Sequence, residues 1–179
     1  WDGSTLTGFG TGFNSIVYDV AFDYKRGIIY FAGGFTTANG VAANRVTQYT
    51  LSTGLFTAMG TGVNDVARTL YIDENTGDVY VGGDFTDSGR TKAGRWGYAD
   101  QAWHSIGDGE GGEGFNDTVY SIAGDGKYVY FGGNMTQTNA GTIGAAIPVL
   151  GVARYISGAH THPEQLGGGV TGGLVRFLW

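Results

Sequence analysis

Tyr80-Val-Gly-Gly-Asp-Phe-Thr86 decides the reading of this chain, because close copies stand fifty residues to either side: Tyr30-Phe-Ala-Gly-Gly-Phe-Thr36 and Tyr130-Phe-Gly-Gly-Asn-Met-Thr136. The same offset links Gly10-Thr-Gly-Phe-Asn14 to Gly60-Thr-Gly-Val-Asn64, Asp23 to Asp73, Gly27 to Gly77 and Arg45 to Arg95. A period of this length marks a repeat architecture in which each unit is one supersecondary element that buries its faces only by stacking on its neighbours. Within a unit, short β-branched and aromatic runs alternate with turn signals, which reads as four strands. The second unit gives strands at 66–72, 79–83, 95–98 and 102–106, with the turn Asp73-Glu-Asn-Thr-Gly77 after the first. The first unit gives 17–22, 28–33, 45–49 and 55–59, and the third gives 119–123, 128–133, 152–156 and a short piece near 164–166.

Four antiparallel strands per unit is the content of one blade of a β-propeller, so the expected fold is all-β, a single propeller segment over 1–179. The expected divisions are the end of a preceding blade at 1–12, blades at 13–60, 61–107 and 108–168, and the start of another at 169–179. Closed propellers use about four to eight blades, so such an arc is expected either to belong to a longer polypeptide or to be completed by another chain at its open edges. Two departures from the period mark where function usually grows on a repeat scaffold. Arg95 to Arg154 spans 59 residues instead of 50, the excess lying in an enlarged loop at 137–151, and Asp108-Gly-Glu-Gly-Gly-Glu-Gly114 lengthens the crossing into the third unit.

Composition agrees with this class. Of 179 residues 35 are glycine and only 2 are proline, and aromatic residues reach 14%, as many tight turns between short strands require. The net charge of -6, with ten scattered Lys and Arg, supplies no basic stripe for a phosphate backbone, which argues against nucleic acid as a partner. No apolar run of about twenty residues is present. With no cysteine there is no disulfide, thiolate nucleophile or cysteine-ligated metal.

Gly60-Thr-Gly-Val-Asn64, Val79-Tyr-Val-Gly-Gly-Asp-Phe-Thr86 and Asn44-Arg-Val-Thr-Gln-Tyr49 together resemble the kelch-like β-propeller repeats of the pattern W..LG.G.N..V.......YVGG.FT.AGG...NRIA.W, found in bacterial surface proteins, large DNA viruses and phages, and similar to repeats of fungal cortical marker proteins. Ala32 replaces the first glycine of the pair, Met135 replaces the aromatic, and Leu6 and Phe56 stand where Trp103 follows the pattern better. The resemblance implies an extracellular, cell-surface or virion protein with a binding, adhesive or structural role, and it implies no catalytic residue and no cofactor.

Several residues invite a chemical role and have a plainer one beside it. Asp84 and Asn134 follow the double glycine and are expected to bond backbone at the strand end. Asp23, Asp73 and Asp125 are expected to form turns, since their loops lack the alternating oxygens of calcium loops. His160 and His162, with Glu164 or His104, are weak zinc candidates against an exposed loop. Asp108, Glu110 and Glu113 read as a solvated acidic loop. Asp73-Glu-Asn-Thr-Gly-Asp-Val-Tyr80 resembles the turn of quinoprotein propellers but occurs once, and no sialidase-type Ser-x-Asp-x-Gly-x-Thr-Trp box is present. Asn116-Asp-Thr118 and Asn134-Met-Thr136 fit the N-glycan acceptor pattern.

The first functional expectation is a non-enzymatic module that binds protein or glycan through loops 36–44, 86–94 and 137–151, which follow equivalent strands and so would gather on one rim. Thr37, Asn39, Asn44, Asp87, Arg90, Lys92, Trp96, Gln137 and Asn139 are the candidate contacts, with Trp103 nearby. The alternative is a glycan hydrolase or lyase using Asp19, Asp65 or Asp117 at a propeller mouth. Asp65 and Asp117 follow equivalent asparagines, Asn64 and Asn116, and recurrence of this kind points to scaffold.

Overall fold

The computed structural model describes residues 8–87, 89–107, 113–138, 146–157 and 163–170, and they form an all-β structure with no helix among them. The first sheet contains β1 (Val17–Asp23), β2 (Ile28–Gly33), β5 (Val46–Thr50) and β6 (Leu55–Ala58) in that order, with β3 (Thr37–Ala38) and β4 (Val41–Ala42) forming a separate small hairpin above it. The second runs β7 (Ala67–Ile72), β8 (Val79–Asp87), β9 (Arg90–Gly97), β10 (Ala102–Ser105), and β11 (Glu113–Gly114) adds to β9 in parallel. The third runs β12 (Val119–Gly124), β13 (Tyr128–Gly133), β14 (Val152–Ile156), β15 (Glu164–Gln165). Each is a simple antiparallel meander, the order that short connections between successive strands favour.

The three sheets share one irregularity, and the glycine pair explains it. A bulge breaks the register of the first strand between Val17 and Asp19, between Ala67 and Thr69, and between Val119 and Ser121. The carbonyl freed by each bulge, on Ile16, Val66 or Thr118, accepts the N–H of Gly34, Asp84 or Asn134 at 2.8, 2.9 and 3.0 Å. A Cβ on Gly33, Gly83 or Gly133 would stand 2.2, 2.1 and 2.1 Å from that same oxygen. Only glycine admits this approach.

Alternate residues of the second strand then face opposite neighbours. Tyr30, on β2, packs with Leu70, Val79 and Trp96 of the second sheet. Tyr80, on β8, packs with Val129, Phe131 and Tyr155 of the third. Both tyrosines are 0% exposed. On its other side the first sheet carries Phe31, Phe35 and Phe56 under the rings of Phe9 and Phe13. Phe35, Phe85 and Met135, the residues after the glycine pair, are also fully buried. Burial of such a side chain contributes about 1.5–3 kcal/mol, so the stacked faces supply most of the stability and the glycine contact fixes their geometry.

The pairing corrects two expectations. Arg45 and Arg95 are not equivalent: Tyr30 pairs with Gln48, Tyr80 with Arg95 and Tyr130 with Arg154, so Arg95 matches Gln48 while Arg45 matches Lys92 and Gly151. Those last three all have positive φ, at 68°, 64° and 85°. The third strand of the first sheet accordingly starts at Val46. The expected loop 86–94 is instead a hairpin, with Thr86 opposite Thr91 and Asp87 opposite Arg90, because this connection is too short to leave the ladder.

Gly83→Ala is expected to destabilise the protein by roughly 1–3 kcal/mol, the usual cost of forced overpacking, read as a lowered urea midpoint at unchanged slope. Gly168→Ala, with no atom within 4 Å of the added carbon, is the control.

Candidate functional site

The rim above the second and third strands is built by three asparagines. Asn14 Oδ1 accepts the N–H groups of Thr36 and Thr37 at 2.8 and 3.0 Å, and its Nδ2 donates to Thr36 Oγ1 at 2.8 Å. Asn116 repeats this on Thr136 and Gln137, with 3.0, 3.2 and 2.9 Å. Asn64 accepts from Thr86 N at 2.9 Å and donates Nδ2 to the Thr86 carbonyl. Each asparagine therefore clasps the Thr that follows the buried aromatic or Met, one unit's entry holding its own reversal. The residues with positive φ add a second tie, since Arg45 donates to the Gly34 carbonyl and Lys92 Nζ donates to the Asp84 carbonyl at 2.7 Å.

Between the first and second sheets this rim opens into a cleft of about 450 Å³ lined by Asn44, Arg45, Thr61, Gly62, Val63, Asn64, Asp87 and Arg90. Asn44 is exposed and donates Nδ2 to the Thr61 carbonyl at 2.9 Å. Arg90 Nε lies 2.8 Å from Asp87 Oδ1, with both side chains largely buried, and the guanidinium stacks 4.7 Å over the Trp103 ring. Burial outweighs the pairing for both groups: the Asp87 carboxyl is pushed up and the Arg90 guanidinium down from their ordinary values. The other two sheets place Thr37 and Gln137 where the second places Asp87, so this charged pair breaks the repeat.

Of the nine candidate contacts, Asn44, Asp87 and Arg90 share this cleft. Thr37 and Asn39 belong to the rim of the first sheet, where Asn39 Oδ1 accepts Thr11 N at 2.9 Å, and Gln137 belongs to the rim of the third. One needs correction. Trp96 is 3% exposed, wedged edge-on against Trp103 in the core, and offers no stacking surface. Lys92 donates to the Asp84 carbonyl and is not among the residues lining the cleft. Asn139 lies outside the described residues, as do His160, His162, Asp108 and Glu110. Reading by repeat missed Arg45, Thr61 and Asn64 as cleft residues.

The remaining candidates serve the scaffold. Asp23, Asp73 and Asp125 hold their turns, accepting backbone N–H groups of Lys25 and Arg26, of Asn75, and of Lys127 and Tyr128. Asp73 also accepts the hydroxyl of Ser157, which lies 3.1 Å from the Tyr80 hydroxyl and so ties the second sheet to the third. Asp19, Asp65 and Asp117 stand one per sheet, each accepting the next residue's N–H, and Asp19 also accepts Leu70 N at 2.7 Å across the sheet boundary. His104 bonds Asp100 and Glu164 bonds Arg154, so the two partners considered for a zinc site are separately engaged. Among the described residues no three His, Asp or Glu form a metal-sized group.

Asp84 departs from the expected backbone role. Its Oδ2 accepts from Arg68 Nε and Nη2 at 2.9 and 2.6 Å and its Oδ1 from Thr118 Oγ1 at 2.7 Å, joining the second sheet to the third. Arg68 lies 5.6 and 5.4 Å from the ring centres of Tyr18 and Tyr120, so a Tyr-Arg-Tyr column crosses the first strands of all three sheets. Burial raises the Asp84 carboxyl, but the donors from Arg68 and Thr118 prevail and hold it below its ordinary value.

No family model matches the chain, and no curated protein matches it. Among solved structures, one titled "Structure of U3-55K" aligns with a TM-score of 0.48 at 8% identity, covering 79% of this chain and 42% of that one. The chain thus spans less than half the length of that structure.

Two outcomes follow. Asn64→Ala removes two hydrogen bonds of about 0.5–1.5 kcal/mol each, so a loss of roughly 1–3 kcal/mol is expected in chemical unfolding, with Asn64→Asp, which keeps the acceptor, falling between. Asp84 is bound more tightly as a carboxylate in the folded state. It therefore contributes stability above its unfolded pKa of about 3.9 that is lost as pH falls through the lower folded value. Asp84→Asn is expected to flatten the acid limb of a stability-pH profile.

Proposed function

We propose that the chain is an arc of a kelch-like β-propeller, its three sheets acting as blades, and that it is a binding module of an extracellular, cell-surface or virion protein that engages a glycan at the rim cleft. The charged pair in that cleft carries this reading. Asp87 and Arg90 have no counterpart in the other two sheets, and unlike Asp84 and Arg68, also found in the second sheet alone but tied to Thr118 of the third, they line an open cleft. A largely buried charged pair that lines a cleft supports recognition of a ligand there.

The cleft suits a polyhydroxylated ligand. The exposed Asn44 amide, the Thr61 hydroxyl and the Arg45 and Arg90 guanidiniums offer donors and acceptors around a concave space of glycan-subunit size. The acids of the hydrolase alternative bond adjacent backbone, which supports binding over catalysis.

A glycan array probed with the intact chain, followed by calorimetric titration of a retained glycan, tests the reading. Asn44→Ala is expected to weaken binding about tenfold, equivalent to about 1.4 kcal/mol, while stability falls by no more than about 0.5–1.5 kcal/mol, the contribution of its side-chain bond to the Thr61 carbonyl. An array without a retained glycan, or affinity indifferent to Asn44→Ala, overturns it.

A further inference from the structure

We infer that the outer face of the third sheet docks onto the first sheet of a second copy of this chain, head to tail. The inference rests on the propeller reading above and names its partner.

The argument comes from the two sheet interfaces already inside the chain. Each places the tyrosine of the second strand against the following sheet: Tyr30 and Tyr80 are 0% exposed, and Tyr80 meets the rings of Phe131 and Tyr155, both at 6.4 Å. Tyr130 holds the same position in the third sheet and is only half-buried, its hydroxyl donating to Asp125 Oδ2 of its own sheet at 2.9 Å. Ile156, on the third strand beside it, is 40% exposed.

The first sheet shows the complementary lack. Leu70 and Ile122, at matching positions on β7 and β12, are 7% exposed because a preceding sheet covers them, and Val20, their counterpart on β1, is 53% exposed. Ile16 and Tyr18, shortly before it, are 60% and 47% exposed, the Tyr18 ring also facing Arg68 of the second sheet. Phe31 and Tyr49 stand in the first sheet where Phe131 and Tyr155 stand in the third, partly covered by the chain's own Phe9, which is itself 38% exposed and extends the apolar surface. What Tyr130 lacks is thus a surface of the type the first sheet carries, and what Val20 lacks is a surface of the type the third sheet carries. A contact between two different patches is heterologous and generates a ring where the rotation closes.

Native mass spectrometry and analytical ultracentrifugation of the intact chain, Val20→Glu, Tyr130→Glu and their mixture test this. Both positions are on the surface of the single chain, so unfolding midpoints near the parent's confirm folding. The parent is expected at twice the single-chain mass or a higher multiple, each variant alone at the single-chain mass, and the equimolar mixture at a two-chain species, because one intact patch remains on each partner. A parent that stays at the single-chain mass, or a mixture that fails to associate, overturns the inference. Glycan titration of the same samples separates the two readings: a single-chain species that still binds glycan rejects docking alone, whereas an assembly that binds none rejects the rim.

Discussion

The structure depends on one close contact made three times, a bulge carbonyl lying against a glycine that could not carry a side chain. Ile16, Val66 and Thr118 each turn an oxygen out of the first strand toward Gly33, Gly83 and Gly133, and each oxygen takes the N–H of the following residue. A single hydrogen bond of this kind contributes about 0.5–1.5 kcal/mol net, less than one buried aromatic. Its importance is geometric. It ends the second strand at a fixed residue, turns Phe35, Phe85 and Met135 into the core, and presents the next Thr to the asparagine clasp. Tyr30 and Tyr80, five residues before those core residues, then point into the following sheet with no freedom of register.

A scaffold fixed in this way leaves variation to the connections that follow. From the buried core residue to the first residue of the third-strand ladder the chain takes different routes in the three sheets: a separate small hairpin at β3 and β4, a direct continuation of β8 into β9, and the long segment from Met135 to Val152. The direct continuation is what carries Asp87 and Arg90 into the space beside Asn44 and Asn64. The rim cleft is therefore a consequence of the shortest connection and not of the longest insertion.

Most of the fold was legible because period and alternation act locally. Tyr128 to Gly133 and Val152 to Ile156 form strands with the expected bounds, and the fourth strands end within a residue of expectation. The misreadings share a cause. Arg45 and Arg95 look alike and stand fifty apart, but loop length, not residue type, sets the ladder, and a connection three residues shorter moves Lys92 into the place of Arg45. Trp96 was legible as an aromatic strand residue, but which face it shows depends on that same shift. Asp84 reads from sequence as a local backbone acceptor because its partners, Arg68 and Thr118, come from another strand and another sheet, and no sequence spacing announces contacts across 16 and 34 residues.

Asp84 and Asp87, three residues apart on one strand, show how the scaffold and the cleft differ in energetic character. Both face an arginine. Asp84 receives two N–H groups from Arg68 and a hydroxyl from Thr118, and its carboxyl is held low, the condition of an ion that stabilises the fold. Asp87 has Arg90 beside it and the Asn64 N–H at 3.3 Å, and burial outweighs them and pushes its carboxyl up. The sign is therefore opposite: Asp87 favours the folded state most when protonated, and that contribution is lost as pH rises through its folded pKa. At neutral pH a buried ion pair of this kind adds little or nothing to stability. The second sheet retains it where the first and third manage with Thr37 and Gln137. Scaffold requirements leave this charged pair unexplained, in contrast to Asp84, whose unrepeated pairing with Arg68 and Thr118 joins two sheets.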